Sequence, residues 1–94
     1  MLSFVRMHIL HHAAREAVFG LAMIEELHRH GYTLSPGTLY PILHGMEQSG
    51  LLKCEHETVF GKVRKYYTAT AKGRRTLNEL KGKIQELFGE LFEE

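Results

Sequence analysis

The strongest structural signal in this 94-residue chain lies between positions 35 and 50, which read SPGTLYPILHGMEQSG. Ser35 is a favourable helix N-cap, and Pro36 suits the first helical position because its missing N–H would have no helical partner there. Gly50 is a typical helix stop. Between these signals, four apolar residues recur at helical spacing: Leu39, Ile42, Leu43 and Met46. The segment therefore predicts an amphipathic helix with one buried face.

The opposite side of this helix carries small and polar residues. At about 100° per residue, that side is made up of Gly37, Tyr40, Pro41, His44 and Gln48. Pro41 cannot donate a hydrogen bond to the Gly37 carbonyl, so we expect it to kink or tighten the first turn. A helix face of this kind can come close to another molecule.

Two further helices are predicted before this segment. Ser3 is the expected N-cap of the first, and a break near residues 14–17 leads to the second, which ends at Gly31. The expected buried stripe of the first helix is Phe4, Met7, Leu10 and Ala14. The stripe of the second is Gly20, Met23, Ile24 and Leu27. Its glycine should let a neighbouring helix approach closely.

After Gly50 the hydrophobic period changes to about two. Residues 51–57 and 63–70 are rich in strand formers and Phe60-Gly61 lies between them, so a β-hairpin is predicted. Its tip is expected to carry Lys62, Arg64 and Lys65. Tyr66 and Tyr67 point to opposite faces of a strand, which places one of them in the core.

Thr70 is the expected cap of a last, long helix that runs from about residue 71 to about residue 92. Its apolar residues alternate by three and four positions, which is typical of a helix that pairs with another. These residues are Leu77, Leu80, Ile84, Leu87, Phe88 and Leu91. The alternative is that this stripe packs into the core of the same chain. However, the stripe continues almost to the end of the chain. We therefore expect this helix to form a homodimer.

The order of these elements predicts the fold class: mainly α with a β-hairpin, as a winged helix-turn-helix followed by a long C-terminal dimerisation helix. Residues 1–70 would form the DNA-binding domain and residues 71–94 the dimerisation helix. In this architecture the third helix offers its outer face to the major groove, and the hairpin contacts the flanking backbone.

The distribution of charge agrees with that prediction. The chain has a formal net charge of only +1, but residues 62–83 hold eight Lys or Arg side chains against Glu79 alone, a local charge of +7. Residues 84–94 carry −4. A nearly neutral chain can therefore present one strongly basic surface to nucleic acid.

Several classes of protein are excluded. No nucleophile–base pair, carboxylate pair or phosphate loop emerges and the chain has no Asp, so an enzyme is not expected. No apolar run approaches the roughly 20 residues that span a bilayer. The N-terminal segment lacks the pattern of a signal peptide, and the single cysteine, Cys54, fits a reducing compartment. We expect a cytoplasmic protein without a membrane partner.

Two separated motifs carry a resemblance to a known family. The stretch from Ser35 to His44, followed by Met46-Glu47 and then residues 50–52, resembles the third helix of PadR-family transcriptional regulators. Residues 61–67, then Thr70 and residues 72–74, are similar to that family's wing and the start of its last helix. The single helix after the wing resembles the compact subgroup. The resemblance implies a dimeric repressor, and the two-fold symmetry of such a dimer predicts a palindromic operator.

The candidate DNA-binding residues lie on the third helix and the wing. They are Ser35, Gly37, Thr38, Tyr40, Pro41, His44, Gln48, Lys62, Arg64 and Lys65. Hydroxyl and cationic groups suit phosphate contacts, and His44 or Gln48 has base-reading chemistry on the correct face. At most one of Tyr66 and Tyr67 is expected to reach DNA.

Seven histidines raise the question of a metal. His8 and His12 share a helical face, and Cys54 and His56 share a strand face, so each pair can supply two ligands. Neither pair has a third and fourth ligand at a recognisable spacing, so no metal site is assigned. No cofactor is expected either. Some members of the family bind flat drugs between tryptophans; this chain has no Trp, and a small-molecule effector stays unidentified.

The sequence thus predicts a homodimeric, sequence-specific DNA-binding regulator that represses transcription. Two alternatives stay open at this point. One is a winged-helix module that binds an acidic protein partner through the basic patch, and the other is a metal-responsive regulator.

Overall fold

The computed structural model describes residues 3–93, so residues 1, 2 and 94, at the outer ends of the two predicted domains, lie outside the described residues. The elements follow in the order α1 (Phe4–Arg15), β1 (Val18–Phe19), α2 (Gly20–Arg29), α3 (Pro36–Gln48), β2 (Leu52–Val59), β3 (Lys62–Ala69) and α4 (Ala71–Leu91). This architecture confirms the predicted fold class, with one strand more than expected.

The additional strand is β1, which falls where only a break between two helices was predicted. It pairs antiparallel with β3, placing Val18 opposite Tyr67 and Phe19 opposite Tyr66, and the sheet has the order β1-β3-β2. Two residues form a strand here because the edge of β3 offers them unpaired backbone groups. The pairing ties the start of α2 to the wing.

The hairpin of β2 and β3 has a two-residue turn at Phe60-Gly61. Val59 pairs with Lys62 on either side of it, and both turn residues have positive φ angles, 51° and 76°. That combination is typical of a type I′ turn, whose twist matches that of the flanking strands. The extreme tip is therefore Phe60, which is 99% exposed, and the three basic residues lie along β3 behind it.

Local capping explains most helix starts. The Ser3 hydroxyl accepts a hydrogen bond from the Arg6 N–H at 3.3 Å, and the Thr70 hydroxyl accepts one from the Gly73 N–H at 3.0 Å. Ser35 is the N-cap residue of α3, as predicted, but its side chain makes no capping bond to the backbone, because its hydroxyl donates to Thr38 Oγ1 at 3.3 Å. Its carbonyl instead accepts from the Thr38 N–H at 3.0 Å, a tightened first turn.

One hydrophobic core joins α1, α2, α3, the inner ends of β2 and β3, and the start of α4. Its members are Ile9, Leu10, Ala13, Met23, Leu27, Leu39, Leu43, Met46, Leu51, Leu52, Tyr67 and Leu77. The predicted stripe of α1 was partly wrong: Phe4 is 68% exposed, and Ile9 and Ala13 are buried instead. Tyr67 is the tyrosine of the wing that enters the core.

Helix α4 changes character along its length. Gly73 lies against the Leu51 carbonyl, and Leu77 fills the core of the chain itself. Further along, the apolar residues are largely open to solvent: Ile84, Leu87, Phe88, Leu91 and Phe92 are between 47% and 72% exposed. The first two turns thus anchor α4, and the rest projects with an open apolar side.

Candidate nucleic-acid interface

The outer side of α3 is open to solvent. Its exposed residues include all the predicted contacts of this helix: Ser35, Gly37, Thr38, Tyr40, Pro41, His44 and Gln48. The helix continues through Pro41, and His44 Nδ1 lies 3.9 Å from a Glu47 carboxylate oxygen. Hydroxyl, imidazole and amide groups on one exposed face can donate to phosphates or to base edges.

Tyr40 connects this face to α2. Its ring lies across Gly20, so that a Cβ on residue 20 would overlap the phenol oxygen. The glycine of the α2 stripe therefore does let α3 approach, as predicted, and the group that approaches is the Tyr40 side chain. Tyr40 still keeps 39% of its surface exposed, so the same residue can pack and face a ligand.

The basic residues of the wing lie on β3 and are all exposed. The Arg64 guanidinium is stacked over the Phe19 ring, 5.1 Å from its centre, and Arg64 pairs in register with Glu57. Tyr66, which is half-buried, meets the edge of the same ring at 6.0 Å between ring centres. These aromatic contacts hold the arginine beside the start of α2 with its charge in solvent.

A cleft of about 420 Å³ lies between the wing and α3. It is lined by Phe19, Leu21, Tyr40, Val63, Arg64 and Lys65, with Gly20 among its walls. Phe19, the N-cap of α2, makes no side-chain capping bond, so the first-turn N–H groups of α2 add to the positive potential of this cleft. The structure thus brings Tyr40, Arg64 and Lys65 to one site.

The contribution of α2 to this cleft was not predicted from the sequence. Of the three residues Phe19, Gly20 and Leu21, only Gly20 was predicted to have a role, as the start of a buried stripe; Leu21, beside it, is 61% exposed. An aromatic residue at an uncapped helix start is the one signal that points there.

Another basic side chain, Lys72, has a structural role. Its ammonium donates to the Ser49 carbonyl at 2.8 Å, where α3 ends. A cation at the C-terminal end of a helix is favourable because the unpaired carbonyls there are partly negative. Lys72 therefore ties the start of α4 to the end of α3.

Three of the histidines form a cluster away from the cleft. The ring nitrogens of His8, His12 and His30 lie within 4.8 Å of one another. His30, just beyond α2, was not among the predicted ligands. Within residues 3–93 neither Cys54 nor His56 belongs to such a cluster; Cys54 packs against the core, and His56 lies opposite Lys65.

Burial changes the pKa of two of these histidines. It lowers the pKa of His8, and the neighbouring His30 and His11 lower it further. It also lowers the pKa of His12, against the opposing effect of Glu26. Elsewhere, burial together with the adjacent Cys54 raises the pKa of Tyr67 to about 12. Neutral imidazole is the form that can bind a metal.

A wing beside the exposed face of α3, joined to it across a basic cleft, defines a DNA-binding protein of the winged helix-turn-helix class. Residues 9–79 match the model of the transcriptional regulator PadR-like family, and the chain belongs to this family. The family consists of transcriptional regulators, which agrees with the prediction that the protein is not an enzyme.

Individual relatives support the assignment. The transcriptional regulator Rv3488 of Mycobacterium tuberculosis is 51% identical over 87 residues, which cover 93% of this chain and 81% of that protein. A PadR-like transcription factor of Bacteroides fragilis has a similar structure, with a TM-score of 0.83, 31% identity, and coverage of 93% of this chain and 85% of the other. A PadR-family regulator of Eggerthella lenta also has a similar structure, with a TM-score of 0.78 and 36% identity. The match covers 93% of this chain and 80% of the other.

None of the helices within residues 3–93 combines the length and the apolar character needed to cross a bilayer.

Proposed function

We propose that the protein is a homodimeric, sequence-specific transcriptional repressor that acts on DNA in the cytoplasm. The observation that carries the proposal is the cleft in which Tyr40 of α3 and Arg64 and Lys65 of the wing meet the start of α2. Two separate elements with DNA-binding chemistry converge there, as an approaching duplex requires.

In this proposal α3 lies in the major groove and the wing follows the adjacent backbone. Arg64, Lys65 and Lys62 contact phosphates, together with the hydroxyls of Thr38 and Tyr40 and the first turn of α3 at Ser35. Gly37 and Pro41 let the helix lie close to the floor of the groove. His44 or Gln48 then reaches a base edge. Phosphate contacts set the position of the protein, and base contacts set its specificity.

The homodimer is proposed to form through α4. A row of large apolar side chains that are about half exposed or more is costly in water, and a second copy of the same helix would cover it. The proposed contacts are Leu80, Ile84, Leu87, Phe88 and Leu91. Leu77, predicted as a further contact, is buried in the core of its own chain and instead anchors α4 there. Residues 71–94 would then act as the dimerisation unit, and residues 1–70 as the DNA-binding unit.

Two-fold symmetry leads to a palindromic operator. The two α3 helices would enter major grooves about one helical turn, roughly 34 Å, apart. A dimer placed in this way on a promoter would exclude RNA polymerase, which is the proposed mechanism of repression.

The test is a titration of the DNA upstream of this protein's own gene, followed by fluorescence anisotropy over a range of salt concentrations. Arg64→Ala/Lys65→Ala removes two charges from the wing, and Lys81→Ala/Lys83→Ala removes two charges from α4 as a matched control. The wing variant should flatten the log–log salt dependence by about 3.6 units, since a dimer loses four phosphate contacts at about 0.9 each. Equal effects of the two variants would contradict the proposed docking.

A further inference from the structure

The histidine cluster joins α1 to the end of α2. His8 and His12 are one turn apart on α1, and His30 is the C-cap of α2, with all three ligand nitrogens within 4.8 Å of one another. The rings of His8 and His30 are stacked, with 4.4 Å between their centres. Three imidazoles from two helices thus face one point.

A carboxylate lies beside two of the three histidines. Glu26 Oε1 lies 3.4 Å from His12 Nε2 and 3.5 Å from His30 Nε2. The other oxygen of the same carboxylate accepts a hydrogen bond from Arg29 at 2.8 Å. This bond orients the carboxylate, as an outer partner does for a metal ligand.

His12 provides an independent observation. Its Nε2 atom is buried and has no hydrogen-bond partner, because the contact with Glu26 does not have hydrogen-bond geometry. A buried polar atom without a partner is costly and needs an explanation, such as an ion.

We propose that His8, His12, His30 and Glu26 form a binding site for one divalent transition-metal ion of zinc-like chemistry. Three imidazole nitrogens and one carboxylate oxygen are a ligand set that suits Zn²⁺, whereas Ca²⁺ and Mg²⁺ prefer oxygen ligands. With metal–nitrogen distances of about 2.0–2.1 Å, tetrahedral ligand nitrogens are about 3.3 Å apart. Rotation of the side chains brings the donors to that separation.

Stacked histidines that merely pack together are the simpler explanation of this cluster. Packing accounts for the parallel rings of His8 and His30, but it does not require the nitrogens of three rings to converge. Nor does it require a carboxylate between two of them. An ion accounts for all of these features, and it would cross-link α1 to the helix that positions α3.

The experiment uses the full chain without an affinity tag, freed of metal with EDTA and then titrated with Zn²⁺ by calorimetry and with Co²⁺ by absorption spectroscopy. The wild type should bind one ion per chain and show the strong visible bands of Co²⁺ in a four-coordinate site. His30→Ala and His8→Ala should each weaken binding by at least about tenfold, the range lost even when an outer partner is removed.

His28→Ala is the matched control, because His28 is an exposed histidine in the last turn of α2 and lies outside the cluster. It should bind like the wild type, and circular dichroism should confirm that all the variants are folded. No stoichiometric binding by the wild type, or equal losses in His28→Ala and His30→Ala, would overturn the proposal. DNA is absent from the experiment, so its outcome does not depend on the proposed repressor function.

Discussion

The phenol oxygen of Tyr40 lies against the backbone of Gly20, in the space that a Cβ at residue 20 would occupy. This contact joins the exposed face of α3 to the first residue of α2, where β1 also ties α2 to the wing. The relative placement of the two predicted DNA-binding elements thus depends on a residue without a side chain.

Gly20→Ala should therefore displace Tyr40. We expect it to lower the free energy of unfolding by about 1–3 kcal/mol, the usual cost of overpacking, as measured by urea denaturation. Gly45→Ala is the control, since a Cβ there meets nothing within 4 Å and an alanine in a helix interior should stabilise by about 0.5–1 kcal/mol. A Gly20→Ala variant as stable as Gly45→Ala would show that Tyr40 is not held in place by this contact.

At the wing tip, a residue with a large side chain has a backbone conformation that favours Gly or Asn. Phe60 has a φ of 51° and makes no use of its ring for packing, being 99% exposed. Phe60→Asn should stabilise the protein by about 1 kcal/mol, since Asn adopts this conformation at low cost and Asn-Gly favours a type I′ turn. Thermal unfolding checks the change, and Phe60→Val, which suits the conformation even less, should destabilise.

The open side of α4 leads to a prediction about oligomeric state. Leu87→Glu should raise the dissociation constant of the proposed dimer at least tenfold, because an unpaired carboxylate is costly to bury. The monomer should stay folded, since Leu87 is already 53% exposed in the single chain. Sedimentation equilibrium measures the effect. Gln85→Glu adds the same charge two residues away, outside the seam, and should leave the dimer intact; a wild type that is monomeric at high concentration would refute the prediction.

Alkaline pH should test the burial of Tyr67. Its pKa of about 12 lies above the ordinary value of 10, so the neutral phenol is favoured in the folded state. This contribution to stability is complete below pH 10 and is lost as the pH rises towards 12, by an amount on the order of 2–3 kcal/mol. Urea unfolding between pH 9 and 12 should therefore show a smaller loss in Tyr67→Phe than in the wild type. Tyr66→Phe, on the other face of the strand, is the matched control, and parallel curves for the wild type and Tyr67→Phe would count against the assignment.

The proposed metal site also has a consequence for stability. An ion that binds only the folded chain should add about 2.7 kcal/mol to the free energy of unfolding at a free concentration 100 times its dissociation constant. EDTA should reverse this gain in the wild type. His30→Ala should show no such gain under the same conditions, whereas an equal gain in both proteins would place the ion elsewhere.

Local signals allowed most of the elements to be predicted. Ser3 and Thr70 cap helices because their hydroxyls reach an N–H within the same turn. The hydrophobic period changes to about two after Gly50 because side chains of a strand alternate between its two faces. Interactions of this kind act over a few residues, so they can be read directly from the order of the residues.

Features that depend on distant partners were not predicted. β1 exists only because Val18 and Phe19 meet the free edge of β3. Phe4 has helical spacing that fits a buried stripe, but the covering elements reach Ile9 and Ala13 instead. His30 has no recognisable spacing from His8 and His12, and only the packing of α2 on α1 brings it to them.

The sequence by itself therefore determined the order of the four helices and the hairpin, the basic segment and the family, because caps, periodicity and motif spacing are local properties. The tertiary structure decided which of those faces meet. Tyr40 reaches Gly20, Arg64 reaches Phe19, and three histidines face one point, with Glu26 beside two of them. A periodic pattern states that a face will be covered, but the element that covers it is set by the packing of the whole chain.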